Sequence, residues 1–123
     1  MNDELLASVE REVLSWFGIW KKRDENGTGG VGVTGYRYER SQIGHIHDDG
    51  HTDLRFPREV RDGLIRSGRA IPHPAVPNSR TTASYRIRTP EDVPGAIELF
   101  RMSYERVKAV AERRDERNNG PAA

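Results

Sequence analysis

A turn signal, Asp48-Asp49-Gly50, separates two short segments, residues 42–47 and 51–56, that each have the length and composition of a strand. Aspartate and glycine favour the tight backbone conformations that close a hairpin. Strands joined by so short a loop must run antiparallel. The chain is therefore expected to contain an antiparallel sheet, and folds built on a parallel sheet are disfavoured.

Helices and further strands are predicted around this hairpin. The predicted elements are, in order, a helix from Asn2 to about Phe17, a polar glycine-rich loop at 21–30, a strand within 31–38, the hairpin, a short helix between Pro57 and Gly68, a proline-rich extended stretch at 69–80, a strand at 82–88 and a helix from about Thr89 to about Val110. This order predicts an α+β fold, with a single antiparallel sheet of four or five strands and the N- and C-terminal helices packed on one face. We expect residues 1–110 to form one domain and the charged residues 111–123 to be a disordered tail.

Composition narrows the function classes. The chain has 20 basic and 19 acidic residues, so its net charge of +1 makes nucleic-acid binding unlikely. It has no cysteine, which excludes disulfides, thiolate chemistry and zinc–cysteine sites. It also lacks an apolar run long enough to cross a bilayer. These features predict a cytoplasmic protein without a membrane segment, and they indicate no cofactor.

Histidine is concentrated around the predicted hairpin. Three of the four histidines of the chain, His45, His47 and His51, flank the turn together with Asp53. The fourth, His73, lies between Pro72 and Pro74, which restrict the backbone on both sides. We expect His73 to be over half buried and within about 8 Å of the face that carries His45 and Asp53.

The register of the hairpin decides whether these side chains meet. A three-residue loop with Gly50 in the left-handed region places His47 opposite His51 and His45 opposite Asp53, all on one face. A two-residue loop places Asp48 opposite His51 and splits the set across the sheet. Hydrophobicity does not choose between the two registers, because Ile43 and Ile46 are expected to point to opposite faces in either one.

Three interpretations of the histidines remain open. The default is structural, with imidazoles that bond to neighbouring carboxylates at a partly exposed hairpin. The second is ligand binding or proton transfer, because imidazoles titrate near neutral pH. The third is a metal site made of His45, His47, His51 and Asp53, since histidine and carboxylate are the ligand types of catalytic zinc and non-haem iron.

Other patterns give weaker signals. The glycine-rich run at 27–32 lacks the Gly-Lys-Ser/Thr ending of a phosphate-binding loop, so it is interpreted as a linker. No serine has the context of a hydrolase nucleophile. Arg86 and Arg88 share one face of a predicted strand, where they could hold an anion or pair with Asp53 or Glu98.

Several motifs resemble the bacterial luciferase-family proteins, small domains of mostly unassigned function that are named for similarity to a domain of fungal luciferases. The motifs are Gly-His-Ile-His at 44–47, Asp-Leu-Arg-Phe-Pro at 53–57, Gly-Arg-Ala-Ile-Pro-His at 68–73, Ser-Tyr-Arg-Ile-Arg at 84–88 and Glu-Asp-Val-Pro-Gly-Ala-Ile at 91–97. The resemblance covers residues 5–110. The strand-then-helix ending is more distantly similar to MmcQ/YjbR-like domains, which implies a curved antiparallel sheet backed by terminal helices.

The resemblance supplies no catalytic residues, so these stay unassigned. The family-like polar positions are His45, His47, Asp53, His73 and Arg88, which we take as candidate residues for binding a small ligand, in a domain that could be a cryptic enzyme. An alternative is a non-enzymatic interaction module, as a homodimer for example, that uses an exposed sheet surface with Tyr36, Tyr38 or Trp20. A nucleic-acid-binding domain is the least favoured alternative.

Overall fold

A computed structural model describes residues 2–27 and 31–119 of the chain. The elements are α1 (Asn2–Leu14), β1 (Ile19–Asp24), β2 (Val33–Tyr38), β3 (Ser41–His47), β4 (His51–Arg55), α2 (Arg58–Arg66), β5 (Thr82–Arg86), a short 3₁₀ turn (Pro90–Asp92) and α3 (Val93–Asn118). The strands form one antiparallel sheet in the order β1-β2-β3-β4-β5. The α+β fold with a single antiparallel sheet is confirmed.

The terminal helices cover one face of this sheet, which we call the helix face. Helix α3 contacts β2, β3 and β4, and α1 packs against α3. Phe100 of α3 is fully buried and meets the ring of Tyr36 edge-on at 5.6 Å. Tyr104, also from α3, contacts the rings of Trp16 and Tyr38 and donates a hydrogen bond to the carbonyl of Phe17. The opposite surface, the open face, is therefore left for a site.

Tyr36 and Tyr38 are not exposed, contrary to the surface predicted for an interaction module. Their side chains point to the helix face, where 2% and 9% of their surfaces remain accessible. The reason is the alternation along β2, which turns every second side chain under the helices. Trp20, on β1, does keep 45% of its surface exposed.

Strand β1 was not predicted from sequence, where residues from Lys21 onward were assigned to a loop. Its sequence, Ile-Trp-Lys-Lys-Arg-Asp, is polar because β1 is an edge strand whose side chains are mostly exposed. Such a strand needs little apolar surface, since its backbone pairing with β2 supplies its hydrogen bonds. The other part of the predicted glycine-rich loop, residues 28–30, lies outside the described residues.

The two terminal helices have different ends from those expected. Helix α1 ends at Leu14, three residues before Phe17, and Gly18 takes a φ of 81° in the turn to β1. Helix α3 continues past Val110 to Asn118, with Ala111 buried and Arg114 paired with Glu39. Because residues 120–123 lie outside the described part, the division into a domain and a disordered tail stays a prediction.

A β-bulge interrupts the pairing of β2 with β3. Tyr36 pairs with Gly44 and Arg37 with Gln42, so Ile43 is an extra residue in β3. The extra residue shifts the side-chain alternation by one position. The prediction that Ile43 and Ile46 point to opposite faces is therefore wrong: both belong to the hydrophobic core, with 1% and 3% of their surfaces exposed.

Candidate functional site

The hairpin between β3 and β4 has the register that brings the histidines together. His45 pairs with Asp53 and Ile46 with Thr52, which places His47 opposite His51. The amide of Gly50 donates to the carbonyl of His47 over 2.9 Å, closing a three-residue loop, and Gly50 has a φ of 92°. The ring centroids of His47 and His51 are 5.4 Å apart. The three-residue register is confirmed.

Contacts outside the hairpin also hold this turn. The amide of Ile87, just after β5, donates to the carbonyl of Gly50 over 3.0 Å. A Cβ at Gly50 would lie 2.4 Å from the carbonyl oxygen of Ile87, so both the backbone angle and the space require glycine. The side chain of Asp49 accepts a hydrogen bond from the amide of His51.

Asp53 lies at the centre of the site, on the open face of β4. Only 6% of its surface is exposed. Ser84 of β5 donates to its Oδ1 over 2.6 Å, and Nε2 of His45 donates to its Oδ2 over 2.8 Å. Nε2 of His51 lies 2.8 Å from Oδ1. Burial alone would raise the pKa of Asp53, but the hydrogen bonds from His45 and Ser84 and the attraction of the nearby imidazoles hold it well below its usual range. The carboxylate is therefore ionised at neutral pH.

Two further imidazoles approach the same carboxylate without bonding to it. Nε2 of His47 and Nε2 of His73 are each 3.6 Å from Oδ2 of Asp53, which is beyond hydrogen-bonding distance. Burial, followed by repulsion from His45, lowers the pKa of His47, so this ring is neutral near pH 7. The four histidines and Asp53 together are called the histidine cluster below.

His73 reaches the cluster from the loop between α2 and β5. Ile71 of this loop forms an antiparallel bridge with Ser84, which aligns the loop along the edge of the sheet. The amides of Ala75 and Val76 donate to Nδ1 of His73 over 3.0 and 3.3 Å. Since Nδ1 accepts these bonds, the proton of the neutral ring must be on Nε2. The predicted burial and proximity of His73 are confirmed, as its side chain is 24% exposed.

Gln42 supports His45 from the same strand. Its Nε2 lies 3.0 Å from Nδ1 of His45. Residues three apart in a regular strand point to opposite faces, and the bulge at Ile43 is what brings this pair together. Gly35 of β2 makes room for the amide, because a Cβ there would lie 2.8 Å from Oε1 of Gln42.

Two open depressions of about 640 Å³ and about 610 Å³ meet at this point of the open face. Gln42, His45, Asp53 and His73 line both of them. The larger depression extends over β2 and β1, and the smaller one extends toward Val76 and Thr82. The cluster thus forms the floor of a continuous open groove.

Arg88 is the one candidate residue that the structure does not bring to this groove. It lies after the end of β5, is exposed, and borders a separate depression together with Arg69 and Asp92. Glu98, a predicted partner for the strand arginines, pairs with Arg69 instead. The other four candidates, His45, His47, Asp53 and His73, converge.

Sequence reasoning missed Ser84 and Gln42 as parts of the site. A signal for Ser84 was present, because the alternation in β5 placed it on the same face as Arg86 and Arg88. Finding its contact with Asp53 required the pairing of β4 with β5. Gln42 had no usable signal, since its place depends on the bulge.

The residue types allow metal ligation. Two sets of three residues bring one possible ligand atom each within 4.8 Å of one another: His45, His47 and Asp53, and His51, Asp53 and His73. Asp53 belongs to both sets.

Comparisons with known proteins give one match. A family model described as Luciferase domain matches residues 40–103, just over half of the chain. The matched residues include β3, β4, α2, β5 and every residue of the histidine cluster. No curated protein and no solved structure matches significantly, and nothing supports the more distant resemblance to MmcQ/YjbR-like domains. Within the described residues, no helix is both long and apolar enough to span a membrane.

Proposed function

The chain belongs to the luciferase-domain family, and from this premise we propose that it binds a small organic ligand in the open groove above the histidine cluster. The ligand would carry at least one hydrogen-bond-accepting oxygen. That oxygen would face Nε2 of His73, which bears a proton and points toward the centre of the cluster.

The observation that carries the proposal is the surplus of imidazoles around one carboxylate. A buried aspartate needs a few donors, and Ser84, His45 and His51 already contact Asp53 at 2.6–2.8 Å. His47 and His73 remain at 3.6 Å and make no hydrogen bond to it. Nδ1 of His73 supports its own loop, but a purely structural role for the cluster does not explain why Nε2 of both rings lies near Asp53 without bonding to it.

The rigidity of His73 supports the same conclusion. Two prolines restrict its backbone, and two amides fix the orientation of its ring. A donor that is held in place before binding loses little conformational entropy when the ligand arrives. Such pre-organisation is typical of polar groups in ligand sites.

The walls of the groove fit a small molecule with both polar and apolar parts. Val33 and Val76 offer apolar surface on either side of the cluster, and Lys22 and Arg37 place cations on the wall formed by β1 and β2. The groove is lined by both polar and apolar side chains, so it suits a ligand that has both kinds of surface.

The proposal is tested with gently purified protein and a double variant, His47→Ala with His73→Ala. Native mass spectrometry of the wild-type chain should show a co-purified small molecule, or a fragment library screened by ligand-observed NMR should give hits. Whichever of these two signals the wild type gives should disappear in the double variant. Arg88→Ala is the control and should behave as the wild type, because Arg88 lies outside the groove. Hits that survive in the double variant would contradict the proposal.

A further inference from the structure

We propose that His45, His47 and Asp53 bind a divalent first-row transition-metal ion, and that His73 donates a hydrogen bond to the species in the open position of that ion. The inference rests on the proposed function, since the ion would be the part of the groove floor that holds the oxygen of the ligand. It assigns different roles to imidazoles that the sequence presents as equivalent.

The distances around Oδ2 of Asp53 suit a shared ion. Ligand atoms held about 2.0–2.2 Å from one ion lie roughly 3.0–3.5 Å from each other. Nε2 of His45 is 2.8 Å and Nε2 of His47 is 3.6 Å from Oδ2, and all three atoms lie within 4.8 Å of one another. Small side-chain rotations would bring these atoms to bonding distance of an ion without moving the strands.

The hydrogen bonds of His73 exclude it as a ligand and so distinguish the two possible sets. A neutral imidazole binds a metal through the nitrogen that carries no proton. Nδ1 of His73 accepts bonds from two backbone amides, which cannot reverse their polarity, so Nε2 keeps its proton. The set of His51, Asp53 and His73 is therefore short of one ligand, while the set of His45, His47 and Asp53 is complete.

His45 can become a ligand because its partner is an amide side chain. In the structure, Nε2 of His45 donates its proton to Asp53, and the amide nitrogen of Gln42 faces Nδ1. If the amide of Gln42 turns over, its oxygen accepts a proton from Nδ1 and leaves Nε2 free for the ion. A hydrogen bond from the distal nitrogen of a ligating histidine is the usual support for such a ligand. Gln42 is thus a positioning residue.

The ligand set also limits which ions fit. Two imidazoles and one carboxylate, in a chain without cysteine, suit zinc, cobalt, nickel or iron(II) better than calcium or magnesium, which prefer oxygen ligands. Three protein ligands leave at least one coordination position open. Nε2 of His73 lies 3.6 Å from Oδ2 of Asp53, the oxygen that would bind the ion, so its proton would be close to a group bound in the open position.

The test uses Co²⁺ alone as the probe, because its visible absorption reports nitrogen and oxygen ligation. The protein must carry no polyhistidine tag, which would bind the same ion. The wild-type chain should bind one Co²⁺ saturably, and its melting temperature should rise with Co²⁺ concentration because the ion binds the folded state. Absence of a saturable one-to-one signal would overturn the inference.

Three variants separate the assigned roles. His47→Ala should lose the absorption change and the melting-temperature shift, and Gln42→Leu should weaken Co²⁺ binding roughly 10–100-fold. His73→Ala should still bind one Co²⁺ but should bind azide at the bound ion more weakly than the wild type. Arg88→Ala, outside the groove, is the control and should retain both Co²⁺ binding and the rise in melting temperature with Co²⁺.

The outcomes that contradict the inference are specific. Full Co²⁺ binding by His47→Ala would overturn the ligand set, and loss of Co²⁺ binding by His73→Ala would overturn its role as a donor. Thermal unfolding without metal checks that each variant folds, and Gln42→Leu keeps the test decisive if His47→Ala does not fold. If the protein binds fragments but takes up no Co²⁺, the proposed function stands and only the metal site is refuted. If it binds Co²⁺ but no fragments, the metal site stands and the proposed function is refuted.

Discussion

Ser84 donates a hydrogen bond of 2.6 Å to Oδ1 of Asp53, and its backbone amide and carbonyl both pair with Ile71 over 2.8 Å. One residue of β5 therefore orients the central carboxylate of the cluster and anchors the loop that carries His73. The side chain is fully buried, so water cannot replace the bond that it makes.

We expect Ser84→Ala to lower the free energy of unfolding by about 2 kcal/mol, since a buried charged acceptor loses a donor. Urea unfolding at neutral pH measures this change. Ser15→Ala is the control, because the Ser15 hydroxyl is exposed and bonds only within its own turn. Equal effects of the two substitutions would show that the Ser84 bond adds nothing to stability.

Tyr36→Phe should produce a pH-dependent loss of stability. The hydroxyl of Tyr36 donates to Glu10 over 2.6 Å. Burial raises the pKa of Glu10, but the hydrogen bonds from Tyr36 and Lys21 outweigh burial and lower it overall. A carboxyl whose pKa is lowered on folding stabilises the protein above its unfolded pKa, and this contribution is lost as the pH falls through the folded pKa.

The substitution should therefore cost about 1–2 kcal/mol at pH 7, the usual value for a hydrogen bond to a charged group, and less below pH 4. Urea unfolding of both proteins at a series of pH values measures the difference. A cost that stays constant from pH 7 to pH 3 would show that the charge on Glu10 plays no part.

Substitution of two glycines by alanine should have opposite effects. A Cβ at Gly44 would lie 2.6 Å from Phe100 and 3.2 Å from Leu54 between the sheet and α3, so Gly44→Ala should destabilise the fold by about 1–3 kcal/mol. Gly63 lies in α2, and the nearest atom to a Cβ there is 3.8 Å away. Gly63→Ala should stabilise the protein by about 0.5–1 kcal/mol. Chemical unfolding of the pair checks both signs, and a destabilised Gly63→Ala would count against the packing described for α2.

Gly50→Ala should be more harmful than Gly68→Ala, although both glycines have a positive φ. Gly68 has no atom within 4 Å of a Cβ, so only the backbone preference applies, at about 1–2 kcal/mol. Gly50 adds a contact of 2.4 Å with the carbonyl of Ile87. Thermal unfolding compares the two variants, and equal losses would mean that the turn yields without cost to β5.

Local sequence signals predicted the parts of this molecule that depend on neighbouring residues. The Asp-Asp-Gly turn, the prolines around His73 and the periodicity of the terminal helices all lie within a few residues of what they determine. The choice between the two hairpin registers could not be predicted in this way. A hydrogen bond that holds the turn, from Ile87 to Gly50, joins residues 37 positions apart. Arg88 was grouped with the site as one of the family-like polar positions, and it lies elsewhere because β5 ends at Arg86.

The bulge at Ile43 acts on β3 as a frameshift acts on a reading frame. Before the bulge, the even-numbered position Gln42 points to the open face. After it, the odd-numbered positions His45 and His47 do. A one-residue insertion or deletion anywhere in this strand would exchange core and groove side chains over part of its length, so the strand can vary by substitution far more freely than by length. A pattern used to find relatives with the same arrangement should therefore fix Gln-x-x-His-x-His as one unit of constant spacing and let the lengths of the flanking loops vary.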